Sequence, residues 1–167
     1  MDWRRWFRHL FSTRGDMLRA FPPSTLGAIE TAIAATERMH SGEVRFAIEA
    51  SLEPSEIWRG RTPRERALRV FAALGVWDTD ANNGVLIYVL LADRDVEIVA
   101  DRGFNGKVRP EEWSAICDAM DMRFRAGDFE GGAVECVRLV GEVVARHFPI
   151  APGVRNPDEL PNRPTLL

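Results

Sequence analysis

Lysine is almost missing from this chain: Lys107 stands alone against 21 arginines, a skew of the kind coding bias produces and no sign of an arginine-dependent mechanism. Charge of one sign is missing too. The net charge is −3 with acids and bases interspersed, which excludes the basic face that nucleic acid requires. Cysteine is limited to Cys117 and Cys136, too far apart for a zinc knuckle and both on apolar helical positions, so the spacing predicts buried thiols and fits a reducing compartment. No apolar run exceeds Val85 to Ala92, far short of the roughly 20 residues that span a bilayer, so no transmembrane helix is expected. The first eleven residues are charged but lack an apolar stretch and a small-residue cleavage site. The expectation is no export signal and a cytoplasmic location, peripheral at the inner membrane face if the N-terminal helix anchors. Catalytic signatures are also absent. His9, His40 and His147 each sit at a predicted helix end outside any Ser-His-Asp pattern, and neither a phosphate-binding P-loop nor a dinucleotide fingerprint occurs.

What is present is enough for one domain. With 167 residues, 46% of them apolar, the chain can bury a core but is too short for two domains. We divide it into an amphipathic helix and linker (1–22), an α/β domain (23–149) and a proline-rich extended tail (150–167). Trp3, Trp6, Phe7, Leu10 and Phe11 recur at helical spacing, with Arg4, Arg5 and Arg8 off that face. Such a helix docks on its own domain, anchors at a membrane interface or contacts a partner, and the spacing leaves all three open. A helix over 23–40 turns Leu26, Ile29, Ala32, Ile33 and Thr36 inward. A strand follows from Glu43 to Ala50, whose alternation of Val44, Phe46 and Ile48 with charged residues predicts one partly wet face. Thr62-Pro63-Arg64-Glu65 is a capping box that starts a helix carrying Leu68, Phe71 and Leu74. Pro110 opens a helix with Trp113, Ile116, Cys117, Met120 and Phe124 on one stripe, and a deeply packed helix runs over about 129–147.

Between these helices lies the most informative stretch, Asn82 to Gly103. Two β-branched-rich runs flank Asp93-Arg94-Asp95, which reads as a hairpin with that triplet as its turn. Strand one, the capped helix and strand two form a β-α-β unit with parallel strands, and strand three adds antiparallel to strand two. One end of the resulting mixed sheet then collects Glu43, Asp78, Asp80, Asn82, Asn83, Asp101, Arg102 and Asn105, next to the helix N-terminus at Pro110. Hard oxygen ligands of this kind suit Ca2+ or Mg2+; the alternative is that they cap strands and turns in water. The candidate metal ligands are Glu43, Asp78, Asp80, Asn83 and Asp101, with Asn82, Arg102 and Asn105 as candidate ligand-binding residues.

Two motifs fail on context. Cys117 and Arg123 have the spacing of a cysteine phosphatase loop but lie inside a helix without a glycine-bearing cradle. Asp78-Thr79-Asp80 has the pattern of an aspartyl-phosphate nucleophile but follows a capped helix where the first strand of a larger sheet should end, so a solvated loop is the simpler reading.

Ser41-Gly42-Glu43-Val44, Asn83-Gly84-Val85-Leu86-Ile87, Asp93-Arg94, Val96-Glu97-Ile98, Gly103-Phe104, Trp113, Phe124, Gly127, Phe129 and His147-Phe148-Pro149 agree in order and spacing with one family. In them the chain resembles the TPM domain, known from a plant thylakoid-lumen protein and widespread in bacteria, over roughly residues 24 to 149. The resemblance implies a three-layer α/β/α sandwich with a small mixed sheet. It also implies calcium binding with weak acid phosphatase activity, or else an accessory role in maintaining membrane protein complexes through a protein partner. Where the family has Asp-Asn-Gly at the entry to strand two, this chain has Asn82-Asn83-Gly84, one carboxylate fewer. The leading expectation is a TPM-like binding or accessory domain. The enzyme alternative is metal-dependent phosphate-ester hydrolysis with Asp80, Asp101 and Arg102 as candidate catalytic residues. The third is a peripheral membrane module anchored by residues 1–11.

Overall fold

A computed structural model describes residues 3–151 and 153–167; Met1 and Asp2 of the N-terminal segment and Pro152 of the tail lie outside the described residues. The centre is a four-stranded mixed sheet in the order β3-β2-β1-β4, made of β1 (Glu43–Glu49), β2 (Gly84–Leu90), β3 (Asp95–Ala100) and β4 (Thr165–Leu166). β1 and β2 are parallel with Glu43 opposite Gly84, and β2 and β3 form the expected antiparallel hairpin with Val85 opposite Ala100.

Period-2 alternation sends Val44, Phe46, Ile48, Val85, Ile87, Val89, Val96 and Ile98 to one face. There they meet α3 (Pro23–Thr36), α6 (Pro110–Arg125), α7 (Phe129–His147) and the short capped helix α2 (Arg14–Ala20). Leu86, Tyr88, Leu90 and Val99 face the other way, against Leu52, Ile57 of α4 (Pro54–Trp58) and Ala67 and Val70 of α5 (Pro63–Ala73). Helices therefore cover both faces of the sheet. The Thr62 capping box forms as its sequence predicts, with Thr62 Oγ1 accepting from Glu65 N at 3.2 Å and Glu65 Oε2 accepting from Thr62 N at 3.0 Å.

Two expectations need correction. The helix expected over 23–40 ends at Thr36, and His40 is instead drawn into a buried antiparallel bridge with Pro149. Leu68 of the capped helix is 48% exposed: α5 turns the smaller Ala67 and Val70 to the sheet, and Arg66 reaches Glu49. The first strand has no wet face, because every residue of β1 is buried. Its charged side chains are matched by partners distant in sequence. Glu49 takes a bidentate bond from Arg66 at 2.8 Å and the Tyr88 hydroxyl donates to it at 2.5 Å, while Glu43 Oε2 accepts from Leu160 N at 3.1 Å. Arg45 donates to the carbonyls of Pro161 and Arg163 and to Thr165 Oγ1. The tail that supplies these acceptors ends as β4, parallel to β1, with Ile48 opposite Leu166.

Candidate functional site

At the open end of the hairpin, Glu43 lies opposite Gly84, and Asp101 N donates to Gly84 O at 2.9 Å, so Glu43, Gly84 and Asp101 occupy one row across three strands. Two strand spacings, about 10 Å, therefore separate the backbones of Glu43 and Asp101. The gap between them is filled by backbone. A Cβ on Gly84 would overlap the Val76 carbonyl oxygen, and one on Gly103 would overlap the Asn82 carbonyl oxygen, which accepts from Gly103 N at 2.9 Å. These two glycines let the loop between α5 and β2 lie directly across the strand ends.

The remaining candidates divide between three neighbourhoods. Asn83 is 1% exposed, donating from Nδ2 to Ser41 O at 3.0 Å, with Oδ1 buried and unbonded. Asp78 and Asp80 are exposed on the loop, where Asp80 N donates to Glu159 Oε2 of the tail at 3.1 Å. Asn82, held at φ +52°, accepts from Arg102 Nε at 2.7 Å. Asp101 caps a 3-10 turn, Arg102–Phe104, through Oδ1 and Arg102 N at 2.7 Å; its Oδ2 is buried without a partner. Only Asn82, Asp101, Arg102 and Asn105 are brought together. Calcium needs six or more oxygens at about 2.4 Å, so its ligands must stand within about 5 Å of one another. Among the described residues no group of three or more His, Cys, Asp or Glu could hold a metal ion. The five candidate metal ligands do not fit one coordination sphere.

Two features escape a reading of the sequence. The first is a groove of about 960 Å³ along the outer edge of β3, walled by α6 and by Arg64 of α5 and reaching from Asp95 and Asp121 to Asp101 and Asn105. Its Asp95 carboxyl is pushed up to about 6 by burial and by the neighbouring Glu97, Asp121 and Asp93. Burial and the nearby Glu97 push the Cys117 thiol on its wall up to about 12, so this cysteine is a poor nucleophile.

The second feature is how α1 (Trp3–Phe11) is held. Asp93, read from sequence as part of the turn, is in that turn but also anchors the N-terminal helix. It accepts from Arg5 Nε at 3.0 Å and Arg5 Nη2 at 2.8 Å, and Arg8 stands 3.5 Å away. His9 Nε2 lies 3.1 Å from Asp93 Oδ1, within ion-pair reach though off the hydrogen-bond line, and His9 Nδ1 accepts from Leu52 N at 3.0 Å. Burial of Asp93 raises its carboxyl, but the nearby His9 and the hydrogen bonds and charge of Arg5 outweigh this and hold it at about 2. The helix thus docks through Arg5, Trp6 and His9. Of the predicted apolar stripe only Trp6 is partly covered, whereas Trp3, Phe7, Leu10 and Phe11 are 50% to 72% exposed. Sequence could not reveal this, because an aromatic stripe and a polar clamp on the adjacent side share one helical wheel.

A mixed sheet with helices on both faces, and polar residues at the open end of its hairpin, defines a small α/β domain. The chain belongs to the TPM domain family, whose model matches residues 16–143. It is also similar to the NMR structure of BA42 protein from the psychrophilic bacterium Bizionia argentinensis, at 31% identity and a TM-score of 0.72, over 86% of this chain and 93% of that one. No curated protein matches the chain. No helix among the described residues is long and apolar enough to cross a membrane.

Proposed function

We propose that this TPM-domain protein is an accessory binding module that seats on an anionic membrane surface through α1. One observation carries the reading: the polar clamp of Arg5, His9 and Asp93 fixes α1 to the domain by one side and leaves Trp3, Phe7, Leu10 and Phe11 facing out. Trp58, at the end of the neighbouring α4, is exposed as well. Residues 3–20 hold five arginines against one acid in a chain whose net charge is −3, so the aromatic stripe sits in the locally basic part of an acidic protein. Aromatic side chains at the headgroup level with arginine beside them are the chemistry of interfacial helices.

Half-exposed large apolar side chains contribute about 1 kcal/mol each on transfer to the interface. Arginines near an anionic surface add about 1 kcal/mol each. Four or five of the former with two or three of the latter correspond to a dissociation constant on the order of 10 µM. The test is co-sedimentation of the full chain with vesicles of equimolar phosphatidylglycerol and phosphatidylcholine. Binding should weaken with added salt, fall on pure phosphatidylcholine, and disappear in the Trp3→Ser, Phe7→Ser, Phe11→Ser variant while its circular dichroism stays unchanged. Equal binding by that variant would overturn the reading.

A further inference from the structure

The membrane reading makes no use of the groove beside β3, and no residue of α1 lines it. β3 is the outermost strand of the sheet on that side. Asp101 N bonds inward to Gly84 O, and the register alternates from there, so Val96, Ile98 and Ala100 turn their backbone N–H and C=O groups away from β2 toward the groove. From Asp95 to Asp101 the edge is about 20 Å long, the span of about six extended residues. Val96, Ile98, Phe104 and Trp113 provide apolar contacts along it.

The charge along this edge is one-sided. Asp95, Glu97, Asp101, Asp118 and Asp121 line the groove against two bases, Arg64 and Arg109. Arg64 is already engaged, with Nη1 3.2 Å from Glu97 Oε2 and donating to Ile98 O at 2.5 Å. Independently of the cluster, Asp101 is 9% exposed and its Oδ2 has no hydrogen-bond partner; Asp121 Oδ1 is likewise buried and unbonded. Burying polar oxygens without partners is unfavourable, and a cationic donor would relieve both ends at once.

We propose that the groove binds an extended peptide segment rich in arginine or lysine, which adds as a strand to the open edge of β3 with its basic side chains meeting Asp95 and Asp121 at one end and Asp101 at the other. Main-chain bonds to Val96 and Ala100 supply affinity, and the carboxylates select for positive charge. Arg64 gives up Ile98 O when the strand enters and keeps Glu97.

The probe is a six-residue peptide of alternating arginine and valine, labelled with fluorescein and titrated into the full chain by anisotropy, with backbone NMR read in parallel. Binding should slow amide exchange at Val96 and Ala100 and shift residues 95–101 and 113–121. It should weaken about tenfold in the Asp95→Asn, Asp121→Asn variant, the scale expected from losing charge pairs. That variant should fold, since burial and like charges disfavour both carboxylates where they stand. A peptide N-methylated on alternate residues, unable to complete the ladder, should fail to bind. Equal binding of the N-methylated peptide, equal binding of a glutamate-valine peptide, or slow exchange at Val96 and Ala100 from self-association alone would each overturn the proposal. So would the absence of any shift in residues 95–101 at millimolar peptide.

Discussion

Replacing Asp93 with alanine should release α1 while leaving the rest of the domain folded. The Asp93 side chain is 7% exposed, Arg5 is 19% exposed and His9 is fully buried, so the clamp works away from most solvent screening. The carboxyl is held near 2 against an ordinary 3.8, a difference of nearly two pH units. At about 1.4 kcal/mol per unit, this amounts to roughly 2 to 3 kcal/mol of stability at neutral pH. The value for removing one partner of a fully buried pair is higher, about 3 to 5 kcal/mol. Arg5 keeps its bond to Arg61 O at 2.7 Å, so we expect the lower figure. The loss cannot exceed the free energy of docking α1, because once the helix is off, the sheet no longer depends on Asp93. Hydrogen exchange resolves the two levels. The amide of Leu52, which donates to His9, and the amides of α1 should lose protection by about 30- to 100-fold, whereas Phe46 and Ile87 should keep theirs. The sign with pH follows from the depressed carboxyl: the clamp's contribution is complete above about 4 and lost as pH falls through about 2. The Trp6 indole resonance of the wild type should therefore hold steady from neutral pH to about 4 and move toward its free position below that. Unchanged protection at Leu52 and α1 in Asp93→Ala would refute the reasoning, and Trp6 packing alone would then hold the helix.

Gly84→Ala should destabilise the domain by about 3 kcal/mol in urea unfolding, since its Cβ would collide with the Val76 backbone rather than with a side chain that can rotate away; a change below about 1 kcal/mol would mean that the loop yields easily. Glu37 is pushed up to about 8 by burial, with the nearby Glu43 adding to it, so its contribution to stability is complete below about 4.5 and is lost as pH rises through about 8. Glu37→Gln keeps an acceptor for Val44 N, which lies 3.3 Å from Glu37 Oε1, and cannot ionise. The wild-type melting temperature should fall between pH 5 and pH 8 by several degrees more than that of Glu37→Gln, and parallel pH profiles would contradict this assignment.

The parts of the fold that were legible are those whose signal is local. The stripe Ile116, Met120, Phe124, the Thr62 capping box and the two runs of the hairpin each lie within one element and specify it without help. β4 was not legible, because its two residues gain their role only by meeting Ala47 and Ile48, more than a hundred residues earlier. The charged positions of β1 were misread for a related reason: alternation shows that Glu43, Arg45 and Glu49 share a face but not whether water or a distant partner waits there. The polar end of the sheet was located correctly from strand directions. Its geometry was not, since the approach of Val76 over Gly84 turns one apparent cluster into separate neighbourhoods. The groove depends on β3 being the outermost strand, which follows only once the place of β4 is known.

The short β4 also sets how this protein can assemble. A sheet with two free edges can stack copy upon copy without limit, the route to fibres. Here one flank of the sheet is covered by Thr165 and Leu166, with Leu167 N donating to Ile48 O at 2.9 Å. The two flanks therefore differ in what they offer: β3 presents the run from Asp95 to Ala100, whereas β1 already has a partner. Pairing is directed to one side of the sheet.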